Sequence, residues 1–209
     1  MNKNLEIQIA KPFGPSIAKV KIPDELVLKL NDYVDGVIKD ESKSKSQDFG
    51  GKLIGQVTQE FRLDKNFYKS SGWLEFLGKS VSSWILKSNG SSVQTFTILD
   101  TWVVRQFKNE YNPTHWHSGH VSGVGYLKVP KNLGSIPNKT KNPNGKLELI
   151  HGSKQFLSSS TFSITPKVGD FYLFPNYMMH TVYPFTDTDE ERRSVSFNAN
   201  VDEKIYNAI

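Results

Sequence analysis

Histidine is the residue type with the clearest chemical signature in this sequence. His115 and His117 are separated by one residue and lie shortly before residues 121–129, which have strand character. If this stretch is extended, the period of two in a β-strand puts both imidazoles on one face, close enough to share a metal ion. His180 follows a short apolar run broken by Pro175 and can approach from a neighbouring strand. The three histidines are therefore a candidate metal site.

The chain has no cysteine, so disulfides, thiolate metal sites and a cysteine nucleophile are excluded. Any transition metal must then be bound by histidine and carboxylate side chains. The other histidines are expected not to be ligands, because His120 has the opposite strand parity and His151 lies at a glycine turn. Taken alone, His115 and His117 could equally be polar residues on an edge strand.

A second polar pattern lies in residues 191–198. Every second residue from Arg192 onward is polar, and the residues between them are mostly apolar. If the polar face of this predicted strand points inward, Arg192 offers a two-pronged guanidinium to a carboxylate, and the Ser194 hydroxyl can donate a further hydrogen bond. An ordinary solvated strand face is the alternative.

In this order, the motifs resemble those of the iron(II)/2-oxoglutarate-dependent dioxygenases, and in particular a subgroup from bacteria and phages with the pattern His-x-His, His and Arg-x-Ser. The resemblance covers roughly residues 102–200 and is weak over the first hundred residues. Any single motif is common, whereas the ordered set is specific. The matching residues are His115-Trp116-His117, Ser122-Gly123-Val124, Tyr126, Gly169-Asp170 to Pro175, His180, and Arg192 to Asn198.

The resemblance implies that His115, His117 and His180 bind one face of an iron(II) ion. It also implies that 2-oxoglutarate binds the metal through its keto and C1-carboxylate oxygens, and that O₂ takes the last position. The far carboxylate of 2-oxoglutarate would then meet Arg192 and Ser194. The implied reaction is oxidative decarboxylation of 2-oxoglutarate to succinate and CO₂, coupled to hydroxylation of a second substrate.

Positions 126 and 117 are compared with the family separately. Tyr126 is a further candidate contact of the co-substrate, with a structural role in the core as the alternative. Most relatives have Asp or Glu where this chain has His117. Three neutral imidazoles leave iron(II) its full charge, which should alter its metal preference and strengthen its attraction for the dianionic co-substrate. A halogenase, in which this ligand is missing, is not indicated, because His117 can fill the position.

Two other functions fit parts of the pattern. A cupin-like metalloenzyme could use three histidines without 2-oxoglutarate, but it has no need of the pair Arg192 and Ser194. A non-catalytic jelly-roll binding protein could retain the histidines for structural reasons. It would then hold no metal after anaerobic reconstitution.

The elements that must position these residues are mainly strands. Turn residues separate short predicted strands at 6–10 and 17–22, and helical periodicity marks residues 24–37 and 72–87. We expect one mainly β domain over residues 1–209, a double-stranded β-helix (jelly roll) with the N-terminal helices packed on its outer face. Residues 1–92 would form the buttress and residues 93–200 the catalytic core. The later predicted strands are 93–99, 102–107, 121–129, 146–150, 161–165, 171–174 and 193–199.

The primary substrate is not readable from the sequence and could be a protein side chain, a free amino acid, a nucleobase or a small metabolite. Residues 131–145 are rich in Lys, Asn, Pro and Gly and form either a connector or a lid over the site. A peptide or protein substrate is weakly preferred, because this long loop could lie beside an extended ligand.

Composition excludes several classes of protein. The chain has 209 residues, of which 37% are hydrophobic and 22% charged, and this is the profile of a folded globular protein. No apolar run approaches the roughly 20 residues that span a bilayer, so no membrane association and a cytoplasmic location are expected. The net charge of +5 does not favour nucleic acid, because the lysines are spread along the chain. The oligomeric state is not readable.

Overall fold

A computed structural model describes residues 14–207 of the chain. The strand expected at residues 6–10 lies outside this range. Within it, no helix has the length and apolar character needed to cross a membrane. The helices are α1 Asp24–Lys39, α2 Glu41–Ser46, α3 Lys65–Ser70, α4 Trp73–Asn89 and α5 Glu203–Tyr206, with a 3₁₀ turn at Gly50–Lys52.

Two antiparallel sheets form the body of the protein. The larger has the strand order β1-β8-β5-β10-β3-β2, and the smaller has the order β4-β9-β6-β7. This arrangement confirms the predicted mainly β jelly roll. The strands are β1 Ala18–Lys21, β2 Gln59–Arg62, β3 Phe96–Gln106, β4 Asn112–His115, β5 Val121–Lys128, β6 Leu147–Ile150, β7 Thr161–Ile164, β8 Asp170–Pro175, β9 Met179–Val182 and β10 Arg192–Val201.

The N-terminal helices cover the outer face of the larger sheet, as predicted. Helix α1 begins after Pro23, a residue suited to a helix start, and buries a stripe that includes Leu30 and Val34. Helix α4 adds Trp73 and Leu77 to the same core. Because this core takes up the outward side chains of the sheet, the opposite face is left for the cavity between the sheets.

Strand β10 separates the two environments. Val195 and Phe197 lie in the core shared with the helices, whereas Arg192 and Ser194 lie on the face that borders the cavity. The alternation predicted from the sequence therefore holds. Across the larger sheet, one row on the cavity face runs through Tyr126 on β5, Ser194 on β10, Val104 on β3 and Glu60 on β2.

One long strand replaces two predicted ones in the middle of the chain. Polar residues at the centre of β3 suggested a break, but tertiary partners satisfy them. Asp100 forms an ion pair with Arg62 at 2.7 Å, and the Thr101 hydroxyl accepts a hydrogen bond from the indole nitrogen of Trp73 at 3.0 Å. Strands β2 and β9, each of four residues, were not predicted because such short segments carry too little periodicity.

Candidate active site

The three predicted histidines come together at the edge of the smaller sheet. His115, the last residue of β4, is directly opposite His180 on β9, and their ring centroids are 4.2 Å apart. The ring of His117 lies 4.9 Å from that of His115 and 5.0 Å from that of His180. One ligand atom from each histidine lies within 4.8 Å of the others. This spacing allows three imidazoles to bind one ion.

Backbone carbonyls orient two of these rings. The Nδ1 of His115 lies 2.7 Å from the carbonyl oxygen of Pro113, and the Nδ1 of His180 lies 2.9 Å from that of Met178. A carbonyl can only accept, so each Nδ1 carries the proton in these bonds. Each Nε2 is then left with a free lone pair for a metal, which is the usual arrangement around histidine ligands.

Burial keeps the histidines neutral. Desolvation is the main cause that lowers the pKa of His117 to about 3 and that of His180 to about 4, with contributions from the neighbouring histidines. Burial also lowers the pKa of His115. Neutral imidazole is the form that binds metals, so protons do not compete for the site near neutral pH.

Among residues 14–207, these three histidines form the one cluster of side chains that could hold a metal ion. No carboxylate belongs to this cluster. Two acids of neighbouring strands are engaged elsewhere: Asp100 pairs with Arg62, and Glu148 accepts from the hydroxyls of Ser163 and Tyr183. Three neutral nitrogen donors suit a divalent transition metal such as iron(II). The donor set therefore fits the implied metal.

Strict strand alternation from His115 to His117 would direct Trp116 away from the histidines, but the structure places it at the cavity. Its side chain is 64% exposed and lines the cavity that contains the histidines. The reason is that β4 ends at His115, so strict strand alternation does not continue through Trp116. His120 and His151 lie outside the cluster, as expected.

Arg192 provides a buried positive charge on the same cavity. Arg192 is only 2% exposed, and its Nη1 donates a hydrogen bond to the side-chain oxygen of Gln106. Its Nε has no hydrogen-bond partner among residues 14–207. Desolvation lowers the pKa of the guanidinium. A buried charge without a counterion is costly, so this position is prepared for an anion. Ser194 also lines the cavity, two residues along the same strand face.

Arg193 has a structural environment instead. Its guanidinium is buried on the opposite side of β10, where it pairs with Glu191 and with Asp35 of α1, each at 2.6 Å. The strand parity predicted from the sequence thus separates two adjacent arginines: Arg193 forms ion pairs, and Arg192 forms none within the described part of the chain. The paired arginine ties α1 to the sheet.

Tyr126 lies beside Arg192 and does not line the cavity. The guanidinium carbon of Arg192 is 5.1 Å from the centroid of the tyrosine ring. The residue is fully buried, and its hydroxyl has no hydrogen-bond partner within the described residues. Contact between Tyr126 and the co-substrate stays a prediction.

One cavity of about 320 Å³ connects these groups. Val124, Leu147, Phe174 and Val182 provide apolar wall beside Arg192 and the histidines. The mouth is bordered by Trp116 and by residues 52–54, which the sequence did not single out. A predominantly apolar cavity with a few convergent polar groups is typical of a small-molecule binding site.

The loop of residues 131–145 does not line this cavity. The backbone nitrogen of Gly145 donates to the carbonyl of Pro184 at 2.9 Å, and that of Lys131 donates to the carboxylate of Glu190 at 2.9 Å. The loop therefore packs on the segment before β10 in this structure, in the manner of a connector. It provides no support for a peptide substrate.

Glu60 is a cavity residue that sequence reasoning missed. It is 2% exposed and lines the cavity, and its Oε1 has no hydrogen-bond partner among the described residues. Burial raises the pKa of its carboxyl to about 7, with further contributions from Asp48 and Glu110. Its neighbour Phe61 is buried in the helix-side core, which places Glu60 on the opposite face of β2.

Residues 100–198 match the protein family described as "Putative 2OG-Fe(II) oxygenase". This segment contains all of the proposed metal and co-substrate residues. A search of curated protein sequences finds no match.

Solved structures support the same fold. A prolyl-4-hydroxylase from Pseudomonas putida superimposes with a TM-score of 0.58 at 15% identity, covering 87% of this chain and 91% of that one. The viral collagen prolyl hydroxylase from Paramecium bursaria Chlorella virus-1, in its 2OG complex, gives 0.54 at 13%, covering 88% and 94%. A prolyl hydroxylase from Trichoplax adhaerens, in complex with a peptide fragment of the hypoxia inducible factor oxygen degradation domain, gives 0.54 at 13%, covering 91% and 85%.

The jelly roll, the histidine cluster and the buried Arg192, which has no acidic partner within the described residues, suit an oxygenase that uses a metal and an anionic co-substrate. Residues 100–198 match the family of iron(II)/2-oxoglutarate-dependent oxygenases, and the histidine cluster lies within the matched segment. Iron(II), 2-oxoglutarate and O₂ are the cofactor and co-substrates of this enzyme class.

Position 117 allows a test of ligand identity. If His117 binds the metal, His117→Asp restores the two-histidine, one-carboxylate set common in the family and should retain iron binding and part of the activity. His117→Ala leaves that position to water or chloride, and iron should bind more weakly. Iron affinity measured in anaerobic titrations is expected to rank Asp above Ala. Equal, wild-type affinity in both variants would show that His117 is not a ligand.

Proposed function

We propose that this enzyme hydroxylates a side chain of a peptide or protein, with iron(II) held by His115, His117 and His180 and 2-oxoglutarate anchored by Arg192 and Ser194. The observation that carries the assignment is that the histidine cluster shares one cavity with a buried arginine that has no acidic partner among residues 14–207. Joint binding of iron and 2-oxoglutarate requires a metal site and an anion site that open into the same cavity.

Each group of residues has a distinct task in this mechanism. The chemistry that iron supplies when bound is oxidation of the substrate coupled to conversion of 2-oxoglutarate to succinate and CO₂. His115 and His180 offer Nε2 because backbone carbonyls hold the proton on Nδ1. Arg192 and Ser194 bind the far carboxylate by charge-assisted hydrogen bonds, and this fixes which end of the dianion lies near the histidines.

Apolar side chains protect the co-substrate from water. Val124, Leu147, Phe174 and Val182 border the cavity near Arg192, so hydrogen bonds made there act in a medium of low polarity. The hydroxylation itself needs no general base from the protein, since the oxidant is provided by the cofactor. The task of the protein is to position the substrate and exclude solvent.

A peptide or protein substrate is supported by the mouth of the cavity and by the solved relatives. Trp116 and Ile54 are both exposed at the mouth and offer apolar surface to a chain lying across it. One structural neighbour is solved with a peptide fragment, and another is a collagen prolyl hydroxylase.

We also propose a cytoplasmic location, to be tested by cell fractionation.

The substrate class can be tested by presenting iron-loaded protein, 2-oxoglutarate and O₂ with a mixed peptide library and, separately, with free amino acids and nucleosides. We expect peptides to stimulate succinate formation and one of them to gain a single oxygen atom, measured by mass spectrometry. His180→Ala is the control for reactions that need no metal site. Stimulation by the free compounds and by none of the peptides would contradict the peptide assignment.

A further inference from the structure

Glu60 lies on the cavity face of the larger sheet, at some distance from the co-substrate anchor. In the register of the sheet it is opposite Val104, which is opposite Ser194. Two strand spacings separate the Cα atoms of Glu60 and Ser194 by about 10 Å. Glu60 is therefore in the same cavity, displaced from Arg192 toward the mouth formed with residues 52–54.

Oε1 of the Glu60 carboxyl has no hydrogen-bond partner within the described residues, although the acids around it have theirs. Asp48 accepts from the backbone nitrogen of Gly50 at 3.0 Å, and Glu110 accepts from those of Thr58 and Phe107 at 2.9 and 2.8 Å. In contrast, Oε1 of Glu60 has none within the described part of the chain. A polar atom buried without a partner costs free energy, so its retention in a cavity indicates a ligand that completes it.

Among the described residues, no cation forms an ion pair with Glu60. Arg62, on the same strand, pairs with Asp100 at 2.7 Å. Arg105 lies on the opposite face of β3 and pairs with Glu191 at 2.8 Å. Lys52 is exposed, and its Nζ lies 5.8 Å from the centroid of the Phe49 ring. Asp48 and Glu110 add negative potential, so a positive group is the partner that would be bound most strongly.

We propose that Glu60 binds a basic group of the primary substrate, an ammonium or guanidinium such as that of a lysine or arginine side chain, and so selects the substrate. This inference rests on the proposed function. Leu53 and Trp102 also line the cavity and offer apolar contact to the aliphatic stem that carries such a group. The His117 ring lies 5.5 Å from that of Trp102, so a stem held against Trp102 lies close to the histidines.

The proposal is tested by binding without turnover. The full chain, loaded with iron(II) and 2-oxoglutarate in the absence of O₂, is titrated with N-acetyl-lysine N-methylamide or its uncharged counterpart N-acetyl-norleucine N-methylamide. The arginine and citrulline derivatives form a second pair. Calorimetry and tryptophan fluorescence, to which Trp102 and Trp116 contribute from the cavity wall, report the dissociation constants. We expect at least one basic probe to bind about tenfold more tightly than its neutral counterpart.

Glu60→Gln keeps the shape of the side chain and removes its negative charge, so it should abolish this preference. The matched control is Glu75→Gln, which makes the same charge change on the exposed face of α4 and should retain it. Thermal unfolding of both variants checks the fold. The comparison of the two probes on the wild-type protein needs no variant at all.

Three results would overturn the role of Glu60: equal binding of charged and neutral probes, no binding of either basic probe up to its solubility, or a preference that survives in Glu60→Gln. Iron and 2-oxoglutarate affinities are measured on the same samples and should be unchanged in Glu60→Gln. If the wild-type protein bound neither of them, the proposed function would fail instead. The probe comparison on metal-free protein would then still decide whether Glu60 recognises a basic group.

Discussion

Replacing His180 by alanine is expected to abolish succinate formation and to lower iron(II) affinity by more than about 100-fold, since changes to residues that merely support metal ligands already cost about 10- to 100-fold. His180 lies opposite His115 across two strands, and no described carboxylate is placed to substitute for it. Iron content after anaerobic reconstitution and succinate production are the measurements. Circular dichroism should show that the jelly roll persists, because the core does not depend on the ion.

The control for His180→Ala is His151→Ala. His151 is exposed and lies outside the histidine cluster, so its removal tests whether loss of any imidazole weakens iron binding. We expect wild-type iron content and activity in this variant. Full iron content in His180→Ala would show that the metal, if bound, lies elsewhere.

Arg192→Ala is expected to weaken 2-oxoglutarate binding by about ten- to a hundredfold, the equivalent of a charge-assisted contact of about 1.5 to 3 kcal/mol. Within the described residues, Arg192 and Lys52 are the cations that line the cavity, and Lys52 is exposed at the mouth. Iron binding should be preserved, because Arg192 is not a ligand. Calorimetric titration of the iron-loaded variant with 2-oxoglutarate in the absence of O₂ provides the measurement.

Arg193→Ala is the control for Arg192→Ala, because Arg193 is expected to contribute to folding and not to 2-oxoglutarate binding. Because its guanidinium is buried in ion pairs with Glu191 and Asp35, Arg193→Ala should lower the free energy of unfolding by about 1.5 to 3 kcal/mol. The affinity of the folded fraction for 2-oxoglutarate should be unchanged. Wild-type 2-oxoglutarate affinity in Arg192→Ala would refute the anchor assignment.

The parts of the site that could be predicted from the sequence are those governed by local periodicity. The spacing of His115 and His117 predicted that both would reach one metal site, and they do, although β4 ends at His115 and His117 follows it. The alternation along β10 separated Arg192 and Ser194 from the core residues Val195 and Phe197. Along β10 these contacts follow from the two-residue repeat of a strand, whatever the rest of the fold does.

Other features depend on contacts between distant segments and were missed. Glu60 faces the cavity because β2, a strand of only four residues, pairs with β3 at the sheet edge. Trp116 faces it because the chain leaves β4 after His115. The loop of residues 131–145 packs away from the cavity through hydrogen bonds to residues 184–190. None of these pairings leaves a local signal in composition or spacing.

The most direct test of the central claim is succinate formation by purified protein supplied with iron(II), 2-oxoglutarate and O₂, with and without a chelator. The arrangement of His115, His117 and His180 beside Arg192 predicts one iron ion per chain and succinate that depends on it. The chelator and His180→Ala should each abolish the product. A protein that retains no iron after anaerobic reconstitution, or that forms succinate equally well with His180 removed, would contradict this assignment.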